Sequence, residues 1–247
     1  CSANLLYLNI NKCLIMTFTR KTNYILYTYK INNVALTRKE LVKDLGVLFD
    51  KELSFSDHID TVVKSAFQML GFIYRNCKHF GSTECVKILY TAFVRSKLEY
   101  GSLIWYPIYD VHINRIESVQ RHFLKYLFFK HNEFYPPRGY SQTLLLREFE
   151  CLSLENRRAI HTIKFLYDLL HNFIDCPILL MKVNINVTRL SARHLQTFYL
   201  NKPRTNMLKK SPINILCSNT NLYCSNFDVF FDSFSTIKRL LCNNFGS

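Results

Sequence analysis

The sequence predicts an α+β fold that is mainly α: a short antiparallel β-hairpin region, then a helical bundle and further C-terminal helices. Three observations carry this reading. Apolar residues alternate with a period near two from Leu5 to Phe49, take helical spacing after Ser54, and are interrupted by the Pro-Pro-Arg-Gly run ending at Gly139. Of the 247 residues 49% are apolar, enough for one large domain or two modest ones with buried cores.

The β region reads as YLNINKCLIMTF, YILYTYKINNVALTR and LVKDLGVLF, rich in β-branched and aromatic residues. Asn32 and Asn33 tolerate positive φ, so KINNVAL is expected to close a tight hairpin. A polar turn follows, and Ser56 is the expected N-cap of a first helix. Ile59, Val62, Val63, Ala66, Leu70, Ile73 and Cys77 mark its core face, and it ends near His79.

Ser82 or Thr83 is expected to cap a second helix reaching Trp105, packed through Val86, Leu89, Tyr90, Phe93 and Val94, with Pro107 stopping it. A third runs from about Asp110 to Phe129, turning Ile113, Ile116, Phe123 and Leu127 inward. HNEFYPPRGYSQ breaks helix and strand alike and reads as a linker or a domain boundary. Helices at Gln142 to Glu150 and Leu154 to Asn172 follow. Beyond Pro177 the chain turns rich in Asn, Ser and Thr before a final apolar stretch, DVFFDSFSTIKRLL, read as a last helix. The expected division is 1–54, 55–130, 131–180 and a polar, partly irregular 181–247, with no internal repeat.

Thirty-two Lys and Arg against eighteen Asp and Glu give a formal charge of +14, a positive field suited to nucleic acid. No basic amphipathic anchor, apolar run of membrane length or signal-peptide pattern occurs, so the expectation is an intracellular protein, nuclear or cytoplasmic, without a membrane partner. The nine cysteines are scattered without a Cys-x-x-Cys pair, which argues for a reducing compartment and against a zinc module or disulfide framework.

Enzyme machinery is missing from the sequence. It holds no phosphate-cradling glycine loop, no Gly-x-Ser-x-Gly, no His-Glu-x-x-His and no adjacent acidic pair for two metals. Asp57 and His58 are neighbours that point apart on a helix, and read as a solvated helix start. In the third helix, Arg115, Arg121, His122 and Lys125 fall within about a third of the circumference, opposite the apolar face. Such a strip either tracks a phosphate backbone or is an ordinary solvated face.

Several segments, in order, resemble the region downstream of the catalytic motif in reverse transcriptases of non-LTR retrotransposons of the LINE, jockey-like kind. They are LLYLNINKCLIMTFTRK, KINNVALTRKELVKDLGVLFDKELSFSDHI, KSAFQMLGFIYR, LYTAFVRSKLEYGSLIWYP and INRIESVQRHFLKYLF. The resemblance covers about residues 4 to 175. It implies that LNINKC ends the polymerase palm, with Lys12 as a possible accessory to pyrophosphate release. It further implies that KDLGVLFD is the primer grip, with Leu45, Gly46 and Val47 at its centre, and that the three helices up to Phe129 are the thumb. A glycine in such a strand would let nucleic-acid backbone come close, and a β-bulge in a core strand is a compatible reading of Gly46.

The family's aromatic-Ala-Asp-Asp box and its earlier acidic motif do not occur in this sequence, and two-metal phosphoryl transfer requires such carboxylates. The chain is therefore expected to be a fragment whose N-terminal portion is missing, binding no cofactor itself, with Mg²⁺ belonging to the parent polymerase. Its expected partners are an RNA·DNA or DNA duplex and the missing catalytic half of the polyprotein. A stand-alone basic nucleic-acid-binding protein and an inactive remnant of a transposable element are the alternatives.

Overall fold

The computed structural model describes residues 8–107, 109–186, 196–200, 211–223 and 227–246. Its contacts divide the chain into two units, Cys1–Val62 and Val63–Ser247, with the division falling inside the first long helix.

The first unit holds three two-stranded pairings. β2 (Lys30–Ile31) and β3 (Val34–Ala35) form the hairpin expected around Asn32 and Asn33, which take φ of 46° and 64°. β5 (Leu41–Asp44) and β6 (Val47–Asp50) form the longer hairpin, with Leu41 opposite Asp50 and Asp44 opposite Val47. β1 (Leu14–Ile15) and β4 (Thr37–Arg38) pair in parallel, against the expectation of a wholly antiparallel sheet. The hairpin between them supplies the crossover, and Arg38 ties it down by donating to the Tyr27 carbonyl at 3.0 Å and to the Thr17 hydroxyl. Most of YILYTYK lies outside any strand, with Ile25 92% exposed: an alternating pattern makes a strand only where an edge is free to pair with it.

β6 leads into α1 (Ser56–Asn76) through a loop built on one carboxylate. Asp50 accepts from the amides of Glu52, Ser54 and Phe55 at 2.9, 3.0 and 2.7 Å and from the Ser54 hydroxyl at 3.2 Å. Those bonds hold Leu53 and Phe55 at φ of 53° and 58°. Phe55 is buried edge-on against Phe49. Ser56 thus opens the helix rather than preceding it. Ile59, Val63, Ala66, Leu70, Ile73 and Cys77 are buried as their spacing predicts.

The second unit is helical. α2 (Thr83–Tyr90) starts at Ser82, whose hydroxyl accepts from the Cys85 amide. A π-helical turn, Thr91–Arg95, then carries it into α3 (Ser96–Glu99). Val86, Tyr90, Val94 and Leu98 are all buried, a spacing of four that the wider turn keeps on one side. Phe93, expected in the core, is 49% exposed for the same reason. The helix stops short of Trp105, which is fully buried and donates from Nε1 to the Tyr100 carbonyl at 2.8 Å.

α4 (Asp110–Asn132) ends at Glu133, in the left-handed region at φ 66°. Tyr90 of α2 stacks on its Phe123 with ring centroids 3.8 Å apart. α5 (Gln142–Glu148) and α6 (Leu154–Leu170) follow. The residues on both sides of the Pro-Pro-Arg-Gly loop belong to the second unit, and Arg121 donates to Gln142 at 2.8 Å and Gln120 to the Leu152 carbonyl at 3.0 Å across it.

α7 (Pro177–Leu180) is one turn. Among the described C-terminal residues, α8 (Pro212–Tyr223) and α9 (Phe234–Gly246) pack on α6. Ile160, Ile163 and Leu166 share one buried cluster with Leu216, Cys217, Ile237, Leu241 and Phe198. The polar residues of α8 serve this packing, since Asn221 bonds both the amide and the carbonyl of Phe198 and Asn219 donates to Thr162.

Candidate nucleic-acid interface

In the first unit the residues singled out from sequence take different positions. Lys12 is exposed in a single 3-10 turn, Ile10–Lys12. Leu45 and Gly46 are the two turn residues of the β5–β6 hairpin, at φ of 43° and 88°, so Gly46 sits in neither a buried strand nor a bulge. Positive φ at both central positions gives the twist that a two-residue hairpin needs. Glycine takes it freely, whereas leucine is strained there by about 1 to 2 kcal/mol. Leu45 is also 84% exposed, an apolar side chain at a strained tip. Val47, by contrast, is 2% exposed, so it supports the hairpin from beneath and is withheld from any ligand.

His58, expected at a solvated helix start, is buried. Its Nδ1 accepts from the Leu48 amide at 3.3 Å, tying the hairpin to the first turn of α1. Burial, with the Lys43 ammonium second, pulls its pKa below the ordinary histidine value.

In the second unit, Arg115, Arg121 and His122 are exposed on α4 and Lys125 is half-buried beside them. The opposite side, Ile116, Val119, Phe123, Leu124 and Leu127, is buried, so the strip faces outward as its spacing predicts. His122 is fixed in place: Nδ1 lies 2.7 Å from the Ser118 carbonyl and its ring meets Phe67 of α1 edge-on at 5.3 Å. From 111 to 132 the only acid is Glu117, which is buried away from the strip.

Glu117 went unnoticed in the sequence. Its carboxylate accepts from the Glu155 amide at 2.7 Å and the Leu154 amide at 3.4 Å, closing the N-terminus of α6 from a neighbouring helix. Ser153 caps the next amide, that of Asn156, at 3.1 Å. Arg158, 1% exposed, brings Nη2 to 3.6 Å from the same carboxylate. Burial pushes the Glu117 carboxyl up from its ordinary value, against the pull of Arg158 and the two amides. Nearby, Arg157 clasps Glu99 through both nitrogens. These pairs link α4 and the end of α3 to α6. No heptad or cap signal announces a carboxylate that caps a helix more than thirty residues on.

Among the described residues no three of His, Cys, Asp and Glu converge as a metal donor set. The described cysteines are free, and Cys1 and Cys224 lie outside the described residues. No described helix is long and apolar enough to cross a membrane. No protein-family description matches the chain, and neither a curated protein nor a solved structure matches it.

Proposed function

We propose that this chain supplies primer-grip and thumb contacts to the primer-template duplex of a non-LTR retrotransposon reverse transcriptase, whose metal-binding aspartates are not among these 247 residues. The reading rests on the ordered resemblance of the segments. One structural observation carries it: the outward strip of Arg115, Arg121, His122 and Lys125 on a helix whose opposite side buries Ile116, Val119, Phe123, Leu124 and Leu127. Lysine and arginine displace counterions from a phosphate backbone, so the contact is tight at low salt and indifferent to base sequence. The exposed, strained Leu45 at the hairpin tip is the second candidate contact.

Fluorescence anisotropy with a labelled RNA·DNA duplex, titrated across salt, tests the proposal. Replacing Arg115, Arg121 and Lys125 together by Glu is expected to weaken binding and flatten the dependence of log K on log salt by about three, near one for each phosphate contact. An unchanged slope means that the strip is an ordinary solvated face.

A further inference from the structure

We infer that α1 carries a second row of the nucleic-acid face, parallel to the α4 strip and formed by Lys64, Gln68, Gly71 and Arg75; this rests on the nucleic-acid reading above. Lys64, Gln68 and Arg75 are exposed, and Gly71 is half-buried between them. At about 100° per residue, the four positions fall within roughly 60° of the α1 circumference.

Three contacts fix how α1 lies against α4. Phe67 meets His122, Tyr74 meets Tyr126 with ring centroids 4.1 Å apart, and Lys130 Nζ donates to the carbonyls of Lys78 and Phe80. Both residue series ascend together, so the two helices run parallel. Seen from their N-termini, the α1 row lies clockwise of its contact line through Phe67 and Tyr74. The α4 strip lies counter-clockwise of its line through His122 and Tyr126. For facing parallel right-handed helices, those two senses are the same side. The buried residues of both helices lie on the opposite side.

The combined surface is two rows of cations flanking a shallow seam floored by the Phe67 and His122 rings. At 1.5 Å per residue each row is about 15 Å long. That length covers about four to five nucleotide steps at 3.4 Å each. Along the row itself, residues 61–83 contain no Asp or Glu; Asp60 and Asp57, one and two turns before Lys64 on the same helix face, mark its N-terminal limit. Gly71 is the point of closest approach. A Cβ there would meet only the Arg75 Nη1 at 3.5 Å, an ordinary contact, so the helix has no packing reason to leave this position bare. Glycine is otherwise a poor choice inside a helix. Leaving out the side chain lets a phosphate backbone lie against the helix between Lys64 and Arg75.

The experiment uses the full chain and an RNA·DNA duplex. Lys64→Gln with Arg75→Gln, Arg121→Gln with Lys125→Gln, and the combined fourfold variant are compared by salt titration, with thermal melting as the folding control. Each pair is expected to lower the slope by about two and the fourfold variant by about four, with melting unchanged. Gly71→Glu, which sets a carboxylate inside the row, is expected to weaken binding about tenfold or more. Gly71→Ala is expected to raise the melting temperature, showing that the position tolerates a side chain. If the α1 pair and Gly71→Glu bind like the parent while the α4 pair loses slope, the second row is overturned and the α4 reading stands. If neither pair changes the slope, both fall.

Discussion

The Nδ1 of His58 accepts a hydrogen bond from the backbone amide of Leu48 at 3.3 Å, which fixes the imidazole as neutral with its proton on Nε2. Protonating Nδ1 would turn that acceptor into a donor facing another donor. Burial already holds the pKa below the unfolded value of about 6.5. The unfolded chain therefore takes up the proton first. The stabilisation is complete above about pH 6.5 and is lost as the pH falls from there through the folded-state value. Urea midpoints between pH 8 and 5 are expected to drop on the acid side, and His58→Gln, which keeps an acceptor without titrating, is expected to shrink that drop. An identical pH profile in the variant would assign the drop to another group.

Asp50 acts in a lower window. Burial alone would raise its pKa, but the amides of Ser54, Phe55 and Glu52 and the Ser54 hydroxyl outweigh it and hold the carboxyl below its ordinary value. Its contribution is whole above about pH 4 and disappears as the pH falls further. Asp50→Asn presents an NH₂ where a carboxylate oxygen met an amide, and is expected to cost about 1–3 kcal/mol at pH 7. The urea midpoint of the variant at pH 7 and pH 3 checks this, the difference from the parent narrowing at pH 3.

The hairpin turn supplies a third test. Gly46→Val forces a β-branched residue to φ near 88°, and is expected to destabilise the chain by about 1–3 kcal/mol. Leu45→Asn should do the reverse, relieving the left-handed strain by about 0.5–1 kcal/mol. If Leu45 touches nucleic acid, the stabilised variant also binds duplex more weakly. Melting and anisotropy on the same two proteins separate the effects.

A fourth prediction concerns the charge buried between α4 and α6. Glu117→Gln keeps an oxygen for the Glu155 amide but leaves the Arg158 guanidinium uncompensated, and its nitrogens make no hydrogen bond among the described residues. The expected loss is about 3–5 kcal/mol, seen as a lower urea midpoint. A loss well under 1 kcal/mol would mean that water or rearrangement satisfies the cation.

The last prediction follows from composition. The isolated chain with Mg²⁺, a primed RNA template and deoxynucleotides is expected to extend no primer, because neither an aromatic-Ala-Asp-Asp box nor any adjacent acidic pair occurs in the sequence. Template-dependent extension by the pure protein would place the catalytic carboxylates among residues assigned here to other tasks.

What the sequence disclosed depended on how locally each feature is encoded. Asn32 and Asn33 announce their turn because each residue favours left-handed backbone by itself, whereas Leu45 and Gly46 make the same turn inside an apolar run that reads as continuous strand. The core face of α1 was legible as a plain helical repeat, and so was the outward strip on α4. Phe93 was misplaced because a π turn shifts the period without altering composition. α8 was hidden because its Asn and Thr residues, weak helix formers, are held by bonds to Phe198 and Thr162 that no window of sequence contains. The Glu117 bonds to α6 are likewise tertiary.

The π turn at Thr91–Arg95 also makes this segment tolerant of losing one residue. An α-helix holding one surplus residue accommodates it as such a turn, so deleting one residue between 91 and 95 would restore regular winding and leave everything after it on the same side of the helix. Leu98 would stay in the core, Lys97 within reach of the Ser65 hydroxyl that it meets at 3.0 Å, and Glu99 beside Arg157. The same deletion in the regular winding of α2 has no surplus to consume and would turn all three away by about 100°. The segment is thus a slack link, the one place between α2 and α3 where the chain holds a spare residue.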